Sequence, residues 1–330
     1  MFMVLIIHAN YSALGWPRIS HFTDTPITSF LQLLTFFLTV VGVNAFVLIS
    51  GWFGIKSSFT GFLRLCFLLL VAWGSVVGGL RLLGENLPAE PAELFQSYYS
   101  LWFVVSYMIL YILSPVLNSY LSAADTRSSG LLLCSFFAFQ FVMYEVSDDI
   151  NRGFSVLSFM GLYMLARYIR LHLFDRINRV RVWCFPAVFF GVSLGMTLLL
   201  AALAYNGQSL SFYETFNMVS AYASPNVVVA SLALFLWFGR MHFSSSFINR
   251  LGASSLMVYA THQNLLIRPY YAEMVKWLHT ELSTPCFVGA LLLALCLIYG
   301  IATLLNEIAM FLWGQTCRLY GRVAGKWLKK

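Results

Sequence analysis

Long runs of apolar residues, separated by short polar intervals, recur along the whole chain. They fall near residues 1–14, 29–53, 62–83, 99–121, 131–146, 154–170, 184–205, 218–238, 253–270 and 286–312. Within each run the apolar positions are continuous and do not alternate, which predicts helices and argues against barrel strands. A bilayer's hydrocarbon core is about 30 Å thick, and one helical crossing takes roughly 20 mostly apolar residues. Most of the runs are long enough to cross. The pattern therefore predicts an all-α integral membrane protein, a polytopic bundle of about ten transmembrane helices. It reads as a single domain over residues 1–330, because no polar interval is long enough to fold alone. The longest such interval, residues 167–183, reads as a loop. No internal repeat of the kind that marks many transporter halves is visible.

The first run is the odd one. About 14 residues precede Gly15, Trp16 and Pro17, and at ~1.5 Å per residue they cover roughly 20 Å. The first helix therefore reads as truncated. Either it is short, or the true start of the protein lies upstream of Met1, and the second reading is favoured. The run lacks a basic leading segment and a small-residue cleavage site, so it reads as a span and not as a signal peptide.

Composition sharpens the same picture. Apolar residues make up 60% of the chain and charged residues only 10%, too little polarity to cover a water-soluble surface of this size. The net charge of +7 does not point to nucleic acid, because the basic residues flank the runs and form no single face. With a cytoplasmic N-terminus, the inner segments hold Lys56, Arg64, Arg127, Arg167, Arg170, Arg176, Arg179, Arg181, Arg240, Arg250, Arg318, Arg322, Lys326, Lys329 and Lys330, 15 of the 20 basic residues. The outer segments hold Glu85, Glu90, Glu93, Glu145, Asp148, Asp149, Glu214, Glu273 and Glu281. That bias places both termini in the cytoplasm. The six cysteines show no CxxC or metal-ligand spacing, so neither a redox nor a metal site is predicted.

A few polar residues sit where a bilayer makes them costly. His8 follows seven apolar residues; an ionisable group in a membrane helix is functional by default. Its unperturbed pKa of about 6.5 suits a group that takes and gives a proton near neutrality. Asn10 and Tyr11 follow at once, so an interfacial histidine bonded to a carbonyl is the competing reading. In the second run, Asn44 and Ser50 are polar and Gly51 is small enough for a close helix approach. Lys56 and Arg64 come next. As a pair they can hold the phosphates of a nucleotide-bearing donor, although ordinary anchoring at the cytoplasmic boundary explains them first.

The fourth run opens with Tyr98, Tyr99 and Trp102, which suit a membrane interface. Ser106, Tyr107 and Tyr111 lie on overlapping faces and can line a polar seam, and Pro115 is expected to kink or end the helix. In the ninth run His262, Asn264 and Arg268 are dense polarity. His262 shares a face with Tyr259 and not with Asn264. Arg268 breaks the positive-inside pattern; it can bind an anionic substrate group or pair with Glu273. Phosphate-loop, nucleophile-elbow, HExxH and HxxxxD patterns are all absent.

These segments resemble the membrane acyltransferase 3 family, bacterial O-acyltransferases that decorate surface glycans. VLIIHAN (residues 4–10) is similar to the first-span motif ending in the family's catalytic histidine. NAFVLISGWFGIK (44–56) is similar to its second-span Ser-Gly-Phe segment. SLWFVVSYMILYILSPVLN (100–118) resembles its Leu-Trp-Phe…Tyr…Ser-Pro segment, and SLMVYATHQNLLIR (255–268) its late Tyr-Leu-x-His motif. The four occur in order and cover essentially the whole chain.

The resemblance implies a protein of the bacterial inner membrane that takes an acyl group, most often acetyl, from cytoplasmic acyl-CoA. The acceptor would be a hydroxyl of an extracytoplasmic glycan or lipid-linked sugar. His8 would be the general base, Lys56 and Arg64 would bind acyl-CoA, and Asn10, Ser50, Trp102, Tyr107, His262, Asn264 and Arg268 would line the substrate path. Acetyl-CoA would be a co-substrate, with no permanently bound cofactor, and membrane lipid the surrounding partner. In the family an arginine precedes the histidine by about three helical turns; here that position falls before Met1. A non-enzymatic transporter or flippase for a glycolipid or small anion is the alternative.

Overall fold

The computed structural model describes residues 1–87, 101–142, 152–242 and 244–327, with side chains to residue 319. Tyr98, Tyr99, Glu90, Glu93, Glu145, Asp148, Asp149, Lys329 and Lys330 lie outside the described residues, as do parts of the fourth and fifth apolar runs. The described chain is helical, with no strand among the described residues. In order the helices are α1 (Phe2–Ile7), α2 (Ile19–Asp24), α3 (Pro26–Thr39), α4 (Val41–Phe53), α5 (Phe59–Leu82), α6 (Trp102–Ala123), α7 (Thr126–Val142) and α8 (Val156–Tyr168). Then come α9 (Phe174–Arg179), α10 (Cys184–Tyr205), α11 (Ser209–Ser220), α12 (Pro225–Gly239), α13 (Ser246–Ala253), α14 (Ser255–His262), α15 (Arg268–Glu281) and α16 (Thr284–Trp327).

Local chemistry sets many of these boundaries. Pro26 opens α3 at its first position, where its missing N–H costs nothing. Gly54, with φ +72°, ends α4. Ser58 caps α5 by accepting from the Gly61 N–H, and Ser155 caps α8 by accepting from Ser158 N–H. Asp125 accepts from the Arg127 and Ser128 amides at the start of α7. The Ser128 hydroxyl first, and those amides with it, hold its carboxyl below the ordinary 3.8.

The protein is membrane-embedded by build. Among the described residues, five helices are long and apolar enough to cross a bilayer, Pro26–Phe53 counting as one, and the α11–α12 pair, bent by 42°, makes a sixth if it is one span. Along α16, Leu293, Leu297, Ile301, Leu304, Ile308 and Phe311 are each more than half exposed. Their spacing of three and four residues puts them on one face as an apolar stripe, the kind of surface a bilayer covers.

The remaining apolar runs are helical in shorter or broken pieces, and three expectations change. Pro115 does not end its helix: α6 continues to Ala123. Proline cannot donate to the Tyr111 carbonyl, and the Ser114 hydroxyl donates to it instead at 2.8 Å. The polar interval 167–183 is not a loop. It carries on from α8 through a π turn (Ile169–Leu173) into α9, because a helix polar on most faces is still a helix. The ninth run is not one span, since α14 stops at His262 and α15 starts at Arg268.

The chain forms two compact units, Met1–Ser57 with Trp102–Phe243, and Ser58–Leu101 with Ser244–Lys330. In the first, α4 packs on α8 and α12, α8 also meets α6 and α7, and α10 joins α3 to α12. Its core is aromatic and aliphatic, including Phe22, Phe36, Phe37, Val41, Phe212 and Phe216. In the second, α14 lies against both α5 and α16, and α15 against α16.

Candidate functional site

The predicted residues fall in both units. His8, Asn10, Ser50, Lys56, Trp102 and Tyr107 belong to the first, and Arg64, His262, Asn264 and Arg268 to the second.

His8 is half-buried and begins a π turn, His8–Ala13, that extends α1. The wider turn is visible in the Leu14 N–H, which reaches back five residues to the Ala9 carbonyl at 3.3 Å. Single π turns inside α-helices recur at functional sites. This stretch packs on α3, and Asn10 supplies the tie. Its Nδ2 donates to the Gln32 carbonyl at 2.9 Å, while Gln32 Nε2 donates to the carbonyls of Asn10 (3.2 Å) and Gly15 (2.7 Å). Asn10 thus holds the helix that bears His8 in place.

A polar and aromatic seam runs along α4. At one end Asn44, wholly buried, donates to the Tyr222 carbonyl at 2.8 Å, and its Oδ1 has no hydrogen-bond partner among the described residues. Beside it Trp102 packs on Phe103, Phe154, Phe159 and Tyr222, with ring centroids 4.6–6.0 Å away. Next, the Ser50 hydroxyl lies 3.2 Å from the Tyr107 hydroxyl, with Phe46 and Phe103 against the tyrosine ring. The serine also donates to the Phe46 carbonyl at 3.1 Å. Gly51 then sits on the α8 backbone: a Cβ there would lie 2.8 Å from the Tyr163 Cα and nearer still to its carbonyl oxygen. Only glycine allows that approach, as its place in the sequence suggested.

Past α4 the chain is latched. The Tyr163 hydroxyl accepts from the Ile55 N–H at 2.9 Å and donates to Asn118 Oδ1 at 2.8 Å, and Asn118 Nδ2 donates to the Ile55 carbonyl at 3.1 Å. Three side-chain and backbone groups from three elements close one ring around Ile55. The next residue, Lys56, is exposed, so its cation is carried on a fixed segment. Arg167 reaches the same turn. Its Nη1 donates to the Trp52 carbonyl at 3.4 Å and approaches Gly54 so closely that a Cβ there would lie 3.0 Å away. The Arg167 Nε is buried with no hydrogen-bond partner among the described residues. The Arg170 guanidinium stands over Trp52 at 5.1 Å and Phe174 at 4.5 Å, a cation–π arrangement. Asn118, Tyr163 and Arg167 had no signal in the sequence beyond being polar, and Arg167 read as one anchor among many.

The second unit is built differently. Arg64 is exposed on α5. His262 is buried, 2% exposed, at the end of α14. Its Nδ1 lies 2.6 Å from the Val258 carbonyl; a carbonyl only accepts, so Nδ1 carries the hydrogen of this bond. Its ring contacts are Tyr259, as the spacing predicts, and Tyr271 of α15. Asn264, 1% exposed, folds the turn: its Oδ1 accepts from Leu266 N–H at 3.0 Å, and its carbonyl from Ile267 and Arg268. Arg268 is exposed and makes no ion pair with Glu273. Under this turn lies a cavity of about 360 Å³ walled by α5, α14, α15 and α16.

Among the described residues no group of three or more His, Cys, Asp or Glu is placed to hold a metal ion. The seam offers hydroxyls and aromatic walls in the middle and cations at one end. A family model described as an acyltransferase domain matches residues 1–313, which takes in the whole of the first unit, most of the second and every candidate site residue. Comparison with curated proteins returns no match, and comparison with solved structures returns none.

Proposed function

Since the chain belongs to the acyltransferase 3 family, we propose that it moves an acetyl group from cytoplasmic acyl-CoA to a hydroxyl of an extracytoplasmic or lipid-linked glycan. The family match across residues 1–313 carries this reading, and the α4 seam supports it. Acyl-CoA is a polyanion with a long thioester arm. Lys56 and Arg167 meet its phosphates, the second through a buried Nε that no described protein group satisfies. Arg64 is the third cation assigned to the donor. Ser50, Tyr107 and Trp102 line the path of the arm and the acceptor, and Asn44 offers an unpartnered acceptor atom along the same line.

In the transfer, the neutral His8 imidazole takes the proton of the acceptor hydroxyl as its oxygen attacks the thioester carbonyl. The C–O bond forms, the C–S bond breaks, and the imidazolium returns the proton to the departing CoA thiolate. Asn10 and Gln32 act at one remove by holding the π turn that presents His8.

The ten apolar runs are read as ten membrane-embedded segments with both termini cytoplasmic, in the inner membrane of a bacterium. The ninth is a broken segment, like the discontinuous helices that build sites at membrane depth.

The test is mass spectrometry of surface glycans from cells expressing the parent or His8→Ala, paired with acyl-CoA turnover in isolated membranes. A base-labile acetyl increment is expected only with the parent. Turnover is expected to fall by about 10²–10⁴-fold, the usual contribution of a general base. Undiminished transfer in His8→Ala removes His8 from the mechanism. Arg167→Gln and Arg64→Ala are each expected to raise KM for acyl-CoA more than they lower kcat.

A further inference from the structure

Within the first unit, residues 170–183 form a short strap between α8 and α10 that takes no part in the roles assigned to His8, Lys56 or Arg167. The strap holds four arginines, Arg170, Arg176, Arg179 and Arg181, and one acid, Asp175. All four arginines are exposed, and among the described residues none of them forms an ion pair with a carboxylate. Like charges crowded on one segment repel one another and draw counter-charge from outside the chain.

The depth of the strap is fixed by what it is tied to. Arg181 and Trp183 belong to the turn that opens α10. The Arg181 carbonyl accepts from the Cys184 N–H at 3.0 Å, and the Trp183 carbonyl accepts from the Ala187 N–H at 3.2 Å. Because α10 is a span by length and composition, both side chains start within about one turn, ~5.4 Å, of its end. Trp183 is 62% exposed and Val182 beside it 42%. A bare tryptophan at the end of a span sits at the level of the lipid headgroups, and Arg181 sits there with it.

The rest of the strap is held as firmly. Arg240, which follows α12, donates through Nη1 to the carbonyls of Ile177 (3.1 Å) and Val180 (3.4 Å). Phe174 packs on Trp52 of α4, with ring centroids 5.9 Å apart. Helical spacing puts Phe174 and Ile177 on one side of α9 and Arg176 and Arg179 on the other. The packed side therefore faces the protein and the arginines face away. These cations stand on a fixed frame at headgroup depth and not on a loose tail.

We propose that residues 170–183 are a docking surface for anionic phospholipid. Arg179 and Arg181 meet the headgroup phosphates, and Val182 and Trp183 seat among the tops of the acyl chains. Charge names the occupant: a zwitterionic headgroup offers the arginines no net counter-charge, whereas a phosphatidylglycerol head does. A soluble polyanion also answers the charge, but it leaves Val182 and Trp183 in water. This docking needs only that the protein is membrane-embedded and does not depend on the transfer reaction.

The test is native mass spectrometry of the whole protein released from nanodiscs of mixed phosphatidylcholine and phosphatidylglycerol, without acyl donor. The parent is expected to retain phosphatidylglycerol over phosphatidylcholine, and the preference should weaken as salt is raised. Arg179→Gln and Arg181→Gln should each lower the apparent affinity for phosphatidylglycerol about fivefold, the effect of one basic residue at an anionic membrane surface. Both side chains are exposed, so neither change threatens the fold. Arg18→Gln is the control. Arg18 is an equally exposed charge at the start of α2, and α2 packs through Phe22 on Tyr205, at the end of α10 far from the strap. That variant should leave the preference unchanged. In the same nanodiscs, chain-brominated phosphatidylglycerol should quench tryptophan emission more than brominated phosphatidylcholine, and Trp183→Phe should abolish the excess.

Equal retention of the two lipids, a loss in Arg18→Gln as large as in Arg181→Gln, or an excess quenching that survives Trp183→Phe overturns the proposal. So does release of the bound phosphatidylglycerol by coenzyme A, which hands these arginines to a soluble polyanion.

Discussion

The turn after α4 and the turn after α14 are both breaks in apolar runs, and they solve the problem of a bare backbone in opposite ways. After α4, neighbouring helices close on the break. Gly51 lets α8 touch backbone to backbone, Tyr163 and Asn118 bond both polar groups of Ile55, and Arg167 fills the space over Gly54. After α14 the break is tied by its own residue, Asn264, and the neighbours stand back to leave a cavity. A junction held from outside is rigid and can fix the direction of a charge such as Lys56. A junction held from within leaves its surroundings open for a ligand.

The same substitution made in each region should therefore have opposite effects. Gly51→Ala drives a Cβ to 2.8 Å from the Tyr163 Cα and nearer still to its carbonyl oxygen. Backbone cannot swing aside as a side chain can, so overpacking should cost about 1–3 kcal/mol. Gly79→Ala enters open space in a helix interior, and should be neutral or stabilising by up to about 1 kcal/mol. Thermal unfolding of the two purified proteins in one detergent measures the difference. Equal losses would mean that the two regions are packed alike.

A smaller effect separates the hydrogen bonds. Tyr163→Phe strands the Ile55 N–H and Asn118 Oδ1 together, for about 1–2 kcal/mol. It should also raise KM for the donor, because the segment carrying Lys56 loses its latch. In the second unit the Ser254 and Thr303 hydroxyls lie 2.9 Å apart, yet each also bonds a carbonyl of its own helix, Leu251 and Tyr299. Thr303→Val leaves Ser254 satisfied and should cost only about 0.5–1 kcal/mol. If the two variants lose the same stability with no change in KM, the latch is ordinary packing.

Hydropathy made the helices legible because a bilayer leaves the backbone few alternatives. The motifs around His8, Ser50, Trp102 and His262 were legible because polarity inside an apolar run is conspicuous. What stayed hidden was anything decided by a neighbour. Arg167 is one arginine of several until α4 is laid against α8. The break after His262 runs through Asn-Leu-Leu-Ile, as apolar as a span, and only the bonds of Asn264 show the turn. Pro115 read as a kink or an end, and that the helix runs on past it rests on the Ser114 hydroxyl, a matter of side-chain direction. The π turn at His8 changes backbone registration without any change in residue type. Lys56 sits on the latched segment of the first unit and Arg64 on α5 in the second, a division that their spacing of eight residues does not announce.

Exposed charges give the finest distinction. In the second unit Arg250 and Glu307 lie 3.6 Å apart with their side chains 67% and 51% exposed, so water screens the pair and Arg250→Ala should change stability by about 0–0.5 kcal/mol. In the first unit Asp125 is just as exposed but has fixed partners, the Ser128 hydroxyl and the amides that begin α7. Those partners favour the carboxylate and hold its folded pKa below the ordinary 3.8. The sign follows from that depression. The cap's contribution is complete above about pH 3.8, the unfolded value, and fades as pH falls through the lower folded value, where the proton displaces those bonds. The melting temperature of Asp125→Ala should therefore lie below the parent's at pH 7, and the gap should close in acid. Arg250→Ala should show no comparable gap at pH 7. A gap for Asp125→Ala that persists unchanged below pH 3 would mean that the side chain acts there by contact alone, and that exposed charge matters as little in the first unit as in the second.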